Sequence, residues 1–274
     1  MRQASETLAG RVAYLDISPF TAAEAAKGGY DVDTTWVRGG FPESLLATGD
    51  KASLRWRLDF IRSYLEREVP MFAPRMPAPT VGRLWTMLAN GQGTLLNQAR
   101  LASGLGVSVP AVGRYIDLLV DLQLVRRLPP WSGNLGKRLV RSPKVYVRDR
   151  GILHGLLDVE SWDDLIGHPV VGLSWEGFVI ENLIAAAGER WMPNFLRTAD
   201  GAEIDLLMER GGRPTIAVEV KRGSAPEVGK GFRAAMEDLK IKQGYVIYPG
   251  GERFSLGDGV TAMLLGALAE ELAA

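Results

Sequence analysis

Ala202-Glu203-Ile204-Asp205-Leu206-Leu207-Met208 and Thr215-Ile216-Ala217-Val218-Glu219-Val220-Lys221 are the two runs on which the reading of this chain turns. In the first, Ala202, Ile204, Leu206 and Met208 alternate with Glu203, Asp205 and Leu207, the period of a half-buried strand. In the second, Ile216, Val218 and Val220 share one face, and Glu219 and Lys221 share the other. Glu209-Arg210-Gly211-Gly212-Arg213-Pro214 between them has turn composition. A hairpin is expected, with Asp205 and Glu219 meeting on one face beside Lys221. Adjacent carboxylates repel unless neutralised, and a hard divalent cation neutralises them through oxygen ligands. Such an ion activates water against a phosphodiester, and Lys221 would stabilise the developing charge or help position the water.

Charged residues on the outer face of a strand are usually only solvated, and E-x-K is common. An upstream helix adds weight. Residues 173–187 read as helical, with Trp175, Phe178, Val179, Ile180, Leu183 and Ile184 forming an apolar stripe. At about 100° per residue, Glu176 falls inside that stripe and Glu181 outside it. A carboxylate on a core-facing side is costly unless it is paired or metal-bound, so Glu176 is a candidate third acid.

The order is then helix with Glu176, strand at 195–198, turn at Asp200-Gly201, strand with Asp205, strand with Glu219 and Lys221, helix at 226–240 and strand at 245–248. This αβββαβ order resembles the core of the PD-(D/E)xK, restriction-endonuclease-like nucleases. The resemblance implies Asp205 as motif aspartate, Glu219 as second acid, Lys221 as motif lysine and Glu176 as helical glutamate. The literal Pro-Asp dipeptide is absent, since Ile204 precedes Asp205. The whole chain resembles the DUF4143 proteins, bacterial and archaeal AAA-type ATPases with a C-terminal region of unknown function. Gly39-Gly40-Phe41-Pro42-Glu43, Tyr64-Leu65-Glu66-Arg67-Glu68-Val69, Ser142-Pro143-Lys144-Val145-Tyr146-Val147-Arg148-Asp149, Trp175-Glu176, 197–205 and Glu219-Val220-Lys221 carry it. Such proteins begin with a P-loop ATPase domain. Here only its tail is expected, at 3–20, with strand-like Arg11-Val12-Ala13-Tyr14-Leu15-Asp16-Ile17.

A P-loop requires G-x-x-x-x-G-K-[ST]. In Gly133-Asn134-Leu135-Gly136-Lys137-Arg138 the glycines are too close and Arg138 replaces the hydroxyl residue, so a loop is expected. Gly91-Gln92-Gly93 reads as a turn. No ATP site and no ATPase activity are expected of this chain.

The 274 residues suit two or three small domains, and 46% hydrophobic with 23% charged residues is ordinary for a soluble protein. There is no cysteine, so neither disulfides nor thiolate metal sites arise, and His154 and His168 alone do not build a histidine metal site. No apolar run is long enough to span a bilayer and no signal peptide opens the chain, so the cytoplasm is the expected location. Formal net charge is zero. Between 110 and 150, however, basic residues including Arg114, Arg126, Arg127, Lys144 and Arg148 face only Asp117, Asp121 and Asp149.

Three units are expected. Residues 1–78 hold the ATPase remnant and linker helices, including a long helix at 51–69, before the prolines at 70, 74, 77 and 79. Residues 79–150 read as a winged helix-turn-helix. Helix 81–89 is followed by a short helix at 96–103, the turn Gly104-Leu105-Gly106-Val107, and a helix capped by Ser108 with Pro110 in its first turn. Strands at 124–128 and 144–147 would supply the wing. Ser108, Arg114, Arg126 and Arg127 are the candidate nucleic-acid contacts. Winged helices also pack protein partners. Residues 151–274 form the nuclease-like unit.

The expected fold class is therefore α+β and multi-domain. The leading function is Mg2+- or Mn2+-dependent hydrolysis of DNA, with RNA second, Glu176, Asp205 and Glu219 holding the metal and Lys221 at the phosphate. The alternative is a non-catalytic module that binds nucleic acid or protein. An intact AAA-type ATPase relative, docking at 3–20, is a further candidate partner.

Overall fold

The computed structural model describes residues 11–12, 17–73 and 76–273. The expected N-terminal strand therefore lies mostly outside the described residues. The two quoted runs pair as antiparallel strands Glu203–Arg210 and Arg213–Val220, with Leu206 opposite Val218 and Met208 opposite Ile216. Gly211 and Gly212, both at positive φ, make the turn between them.

In chain order the elements are α1 (Ala22–Lys27), α2 (Val32–Arg38), α3 (Pro42–Leu45), α4 (Asp50–Ser63), a π-helical turn (Tyr64–Glu68), α5 (Val69–Phe72), α6 (Ala78–Asn90), α7 (Gln98–Leu105), α8 (Val109–Asp121), β1 (Val125–Leu128), β2 (Lys144–Val147), α9 (Arg150–Leu156), α10 (Trp162–Gly167), α11 (Val171–Ala187), β3 (Trp191–Arg197), β4 (Glu203–Arg210), β5 (Arg213–Val220), α12 (Lys230–Leu239), β6 (Gln243–Ile247), β7 (Phe254–Gly257), β8 (Val260–Met263) and α13 (Leu265–Ala273). The helix expected at 51–69 is broken by the π turn just before Pro70. A proline ring clashes with the carbonyl four residues back, and a wider turn relieves that clash.

Six strands form one mixed sheet in the order β3-β4-β5-β6-β8-β7. The outer pairs are antiparallel, while β5-β6 and β6-β8 are parallel. On one face Leu206, Met208, Ile216, Val218 and Ile247 pack with Trp175, Phe178 and Val179 of α11 and Leu268 of α13. On the other, Ile204, Leu207, Ala217 and Val246 pack with Phe232, Ala235 and Met236 of α12. Helices with a mixed sheet make the class α+β, as expected. The first core also takes in Trp36 of α2 and Leu128 and Tyr146 of the β1-β2 ribbon, so it crosses the unit boundaries read from the sequence.

The strict alternation expected over 202–208 is broken. Asn194 pairs with Leu207 and Leu196 with Ile204, so β4 carries one residue more than β3 between these points. This bulge puts Leu207 on the α12 side together with Ile204, and Leu206 and Met208 on the α11 side. The paired register with β5 runs from Leu206 onward, and just before it Asp205 Oδ2 accepts from the Val220 N–H at 2.9 Å.

α6, α7, α8 and the antiparallel ribbon β1-β2 occupy the middle of the chain, with Leu95 bridging Lys144. Ser108 caps α8 by accepting from the Ala111 N–H at 3.3 Å, as the sequence implied, and Gly106 turns the chain in the left-handed region. The segment joining β1 to β2 does not project freely. The Trp131 N–H donates to Phe195 O at 2.7 Å and the Val140 N–H to Arg197 O at 2.9 Å, along the outer edge of β3. The segment thus covers a sheet edge that would otherwise expose unpaired amides.

His154 joins three elements. Its Nδ1 lies 2.9 Å from Val37 O and its Nε2 2.8 Å from Ser174 Oγ, which also accepts from Trp36 Nε1. Because Val37 O can only accept, the single proton of the neutral ring belongs on Nδ1, and Ser174 Oγ–H donates to Nε2. Burial drives its pKa down to about 3. The unfolded chain then binds this proton first. The His154 contribution to stability is complete above about pH 6.5 and is lost as pH falls toward 3, with a slope of at most about 1.4 kcal/mol per pH unit. In urea unfolding between pH 4 and 7, His154→Gln should lose that slope. Equal slopes in both proteins would contradict the assignment.

Candidate functional site

The acids at the start of β4 gather around an ammonium that the sequence places only among the basic residues of 110–150. Lys144, the first residue of β2, is buried, with 4% of its side chain exposed. Its Nζ lies 3.2 Å from Glu176 Oε1, 3.1 Å from Glu203 Oε1 and 3.6 Å from Asp205 Oδ1. Tyr146 OH, from the same strand, donates to Glu176 Oε1 at 2.6 Å. Glu176 comes from the core-facing side of α11, where its position in the apolar stripe placed it.

Burial, with the Asp205 charge next, pushes Glu176 up to about 7, against the pull of Lys144 and Tyr146. Burial also raises Asp205, against Lys144 and the Val220 N–H. Burial disfavours the Lys144 ammonium, yet Glu176, Asp205 and Glu203 together hold its pKa above the ordinary lysine value. These acids outnumber the cation they enclose, and Glu203, the most exposed of them, leads from the cluster to solvent.

The four residues expected to converge make two sets of direct contacts, and the Lys221 charge still acts on Asp205, drawing its pKa down against burial. Glu219 shares the α12 side with Ala217, and its Oε2 accepts from the Gly229 N–H at 3.3 Å. Lys221 Nζ lies 2.6 Å from Glu219 Oε1. Glu176 and Asp205 instead meet through Lys144 on the α11 side. The two sets adjoin: the Lys221 charge is felt at Asp205, and Trp175 Nε1 donates to Lys221 O at 3.1 Å. The bulge is the physical reason for the division, because it turns Asp205 out of the alternation that placed it beside Glu219.

As they stand, no three carboxylate or histidine side chains among the described residues are placed to ligate one metal ion. Oxygen donors nevertheless fit a hard cation, and Glu176, Asp205 and Glu203 already enclose a cationic stand-in. Their spacing of 3.1–3.6 Å from its centre is that of an ammonium, whereas Mg2+ ligands stand at about 2.0–2.1 Å.

The expected nucleic-acid contacts fare unequally. Ser108 and Arg114 are exposed on α8. Arg126 is held by both oxygens of Glu181, which also takes Arg148 at 3.3 Å. Arg127 pairs with Asp117 of α8. Lys137 of the P-loop look-alike is paired with Asp238, and Gly133 to Arg138 belong to the segment along the sheet. Calorimetric titration with Mg-ATP should show no binding in the micromolar range, and such binding would demand a site other than this loop.

Sequence reasoning missed Lys144, Tyr146 and Glu203. All three lie in the motifs quoted above or beside Asp205, but nothing in the spacing brings β2 to β4. No described helix is long and apolar enough to cross a membrane.

Two family models match different parts of the chain. Residues 29–163 match a domain of unknown function, DUF8612. An uncharacterized protein of Mycobacterium tuberculosis, Rv2008c, and one of Mycobacterium bovis, Mb2031c, are each 42% identical over 263 residues. The match takes in 95% of this chain and 58% of each relative, so the chain spans little more than half their length. No solved structure matches significantly. Residues 171–268, which hold Glu176, Asp205, Glu219 and Lys221, match the domain of unknown function DUF4143, the family that the motifs resembled.

Proposed function

We propose that the C-terminal part of this chain is a nuclease-like phosphodiesterase that uses Mg2+ or Mn2+ and acts on DNA. The observation that carries this reading is the buried Glu176–Asp205 pair at the start of β4, built around a cation and in excess of it. Glu176 and Asp205, with Glu203 at the mouth, would hold the metal. Glu219 is left out of that set. The metal, when bound, would generate hydroxide from water and polarise a phosphate oxygen.

The chain's own groups would do the rest. The Val220 N–H fixes one Asp205 oxygen, leaving the other free to face a cation. Tyr146 orients Glu176. Lys221, with 39% of its side chain exposed beside Glu219, would meet the phosphate. Ser108 and Arg114 offer an exposed edge of α8 to the backbone of a duplex, in the manner of a winged helix.

A non-catalytic binding module is the second reading. It is favoured by the ion pairs that already engage the acids through Lys144, and Arg126 and Arg127 through Glu181 and Asp117. Cleavage assays on duplex and single-stranded DNA, and on RNA, with each metal separate the two. Metal-dependent cleavage supports the enzyme. Salt-sensitive binding without cleavage of any substrate supports the module.

A further inference from the structure

We propose that Lys144 is an internal counter-cation that occupies the seat between Glu176, Glu203 and Asp205, and that it must withdraw for a divalent cation to enter. This rests on the reading of these acids as a divalent-cation site. Three observations carry it. Lys144 Nζ is within 3.6 Å of all three acids, and its side chain is less exposed than any of theirs. Those distances suit an ammonium and exceed the ligand distances of a divalent ion. And the lysine does not belong to the sheet that carries Asp205. It opens β2, paired with Leu128 and bridged to Leu95, with its ammonium over the Phe195 ring at 5.5 Å.

The position of the charge is therefore set by the ribbon and by the segment that straps it to β3. A shift of that ribbon against the sheet would draw the ammonium out and leave the acids to a metal. While it stays, Lys144 supplies the positive charge that lets buried Glu176 and Asp205 share one site. Ammonium and divalent ion are alternative occupants of the seat.

The test is Mn2+ binding by the full chain, followed by electron paramagnetic resonance of the free ion. Lys144→Met removes the charge and keeps the stem, and should bind Mn2+ roughly tenfold more tightly than wild type or better, as expected for removing a like charge from beside a cation. Lys144→Arg keeps the charge and should stay near wild type, which a purely steric role for the lysine would not require. The gain should vanish when Asp205→Asn is added to Lys144→Met. Without metal, Lys144→Met should melt below wild type, and Mn2+ should restore part of the loss. Lys144→Gln is the second neutral variant and carries the same expectation should Lys144→Met fail to fold. If wild type and the neutral variants bind Mn2+ equally, with binding lost in Asp205→Asn, the exchange is wrong and the cation site stands. If neither binds, both fail. A gain that survives Asp205→Asn places the ion elsewhere and overturns the exchange.

Discussion

Asp149→Ala should lower the stability of the chain by about 3–5 kcal/mol, the range for removing one partner from a buried charge cluster. Asp149 is buried at the N-terminus of α9. Its Oδ1 accepts from the Ile152 N–H at 2.9 Å and its Oδ2 from the Gly40 N–H at 2.8 Å. The guanidiniums of Arg57 and Arg150 are buried nearby. Burial lowers each to about 10, and the Asp149 charge is among the groups that oppose this. The Nε of both, and Nη1 of Arg150, have no hydrogen-bond partner among the described residues. Removing the carboxylate strands two amides and takes away charge these cations rely on. Gly39 sits beside it at φ +78°, and a Cβ there would strike the Asp149 carboxylate and the Gly151 amide. Two sequence motifs 109 residues apart thus meet in one junction, and both read as structural. Asp149→Asn, which keeps a capping oxygen, should lose less. Unfolding free energy of the alanine variant within about 1 kcal/mol of wild type would sink this account of the junction.

Asp205→Ala should abolish metal-dependent DNA cleavage in practice, with a loss of a thousandfold or more. In the proposed reaction the metal would supply the nucleophile and several kcal/mol of charge stabilisation, at about 1.4 kcal/mol per decade of rate. The variant also frees the Val220 N–H, so its melting temperature must be measured beside its rate. DNA binding should survive, because the lost charge faces phosphate. Lys221→Ala should stop cleavage yet leave Mn2+ binding intact, since an ammonium donates no lone pair. Undiminished cleavage by Asp205→Ala in a folded protein would show that the reaction, or a contaminant, does not use this site.

The hairpin was legible because two period-two runs flank a glycine turn. Glu176 was legible because a carboxylate in an apolar stripe needs a reason. The Ser108 cap and Pro110 announced α8. The bulge was not legible, since one extra residue in β4 changes neither composition nor the local pattern, yet it reverses which side Leu206 and Leu207 face. Nor was the role of Lys144. Counted by charge alone it belonged with Arg126 and Arg127 as a surface cation, and only the packing of β2 against α11 and β4 buries it. The strap at 130–140 was hidden for a related reason. Its pairing to β3 is made by backbone amides and carbonyls, which every sequence has.

Growing or soaking crystals with Mn2+ and locating the ion by its anomalous scattering tests the central claim most directly. The account predicts one peak within about 2.0–2.6 Å of oxygens of both Glu176 and Asp205, with Lys144 Nζ withdrawn from them and Glu219 still on the Gly229 amide. A peak held by Glu219 without Glu176, or full Mn2+ exposure that leaves Lys144 seated and no ion between the acids, would contradict it.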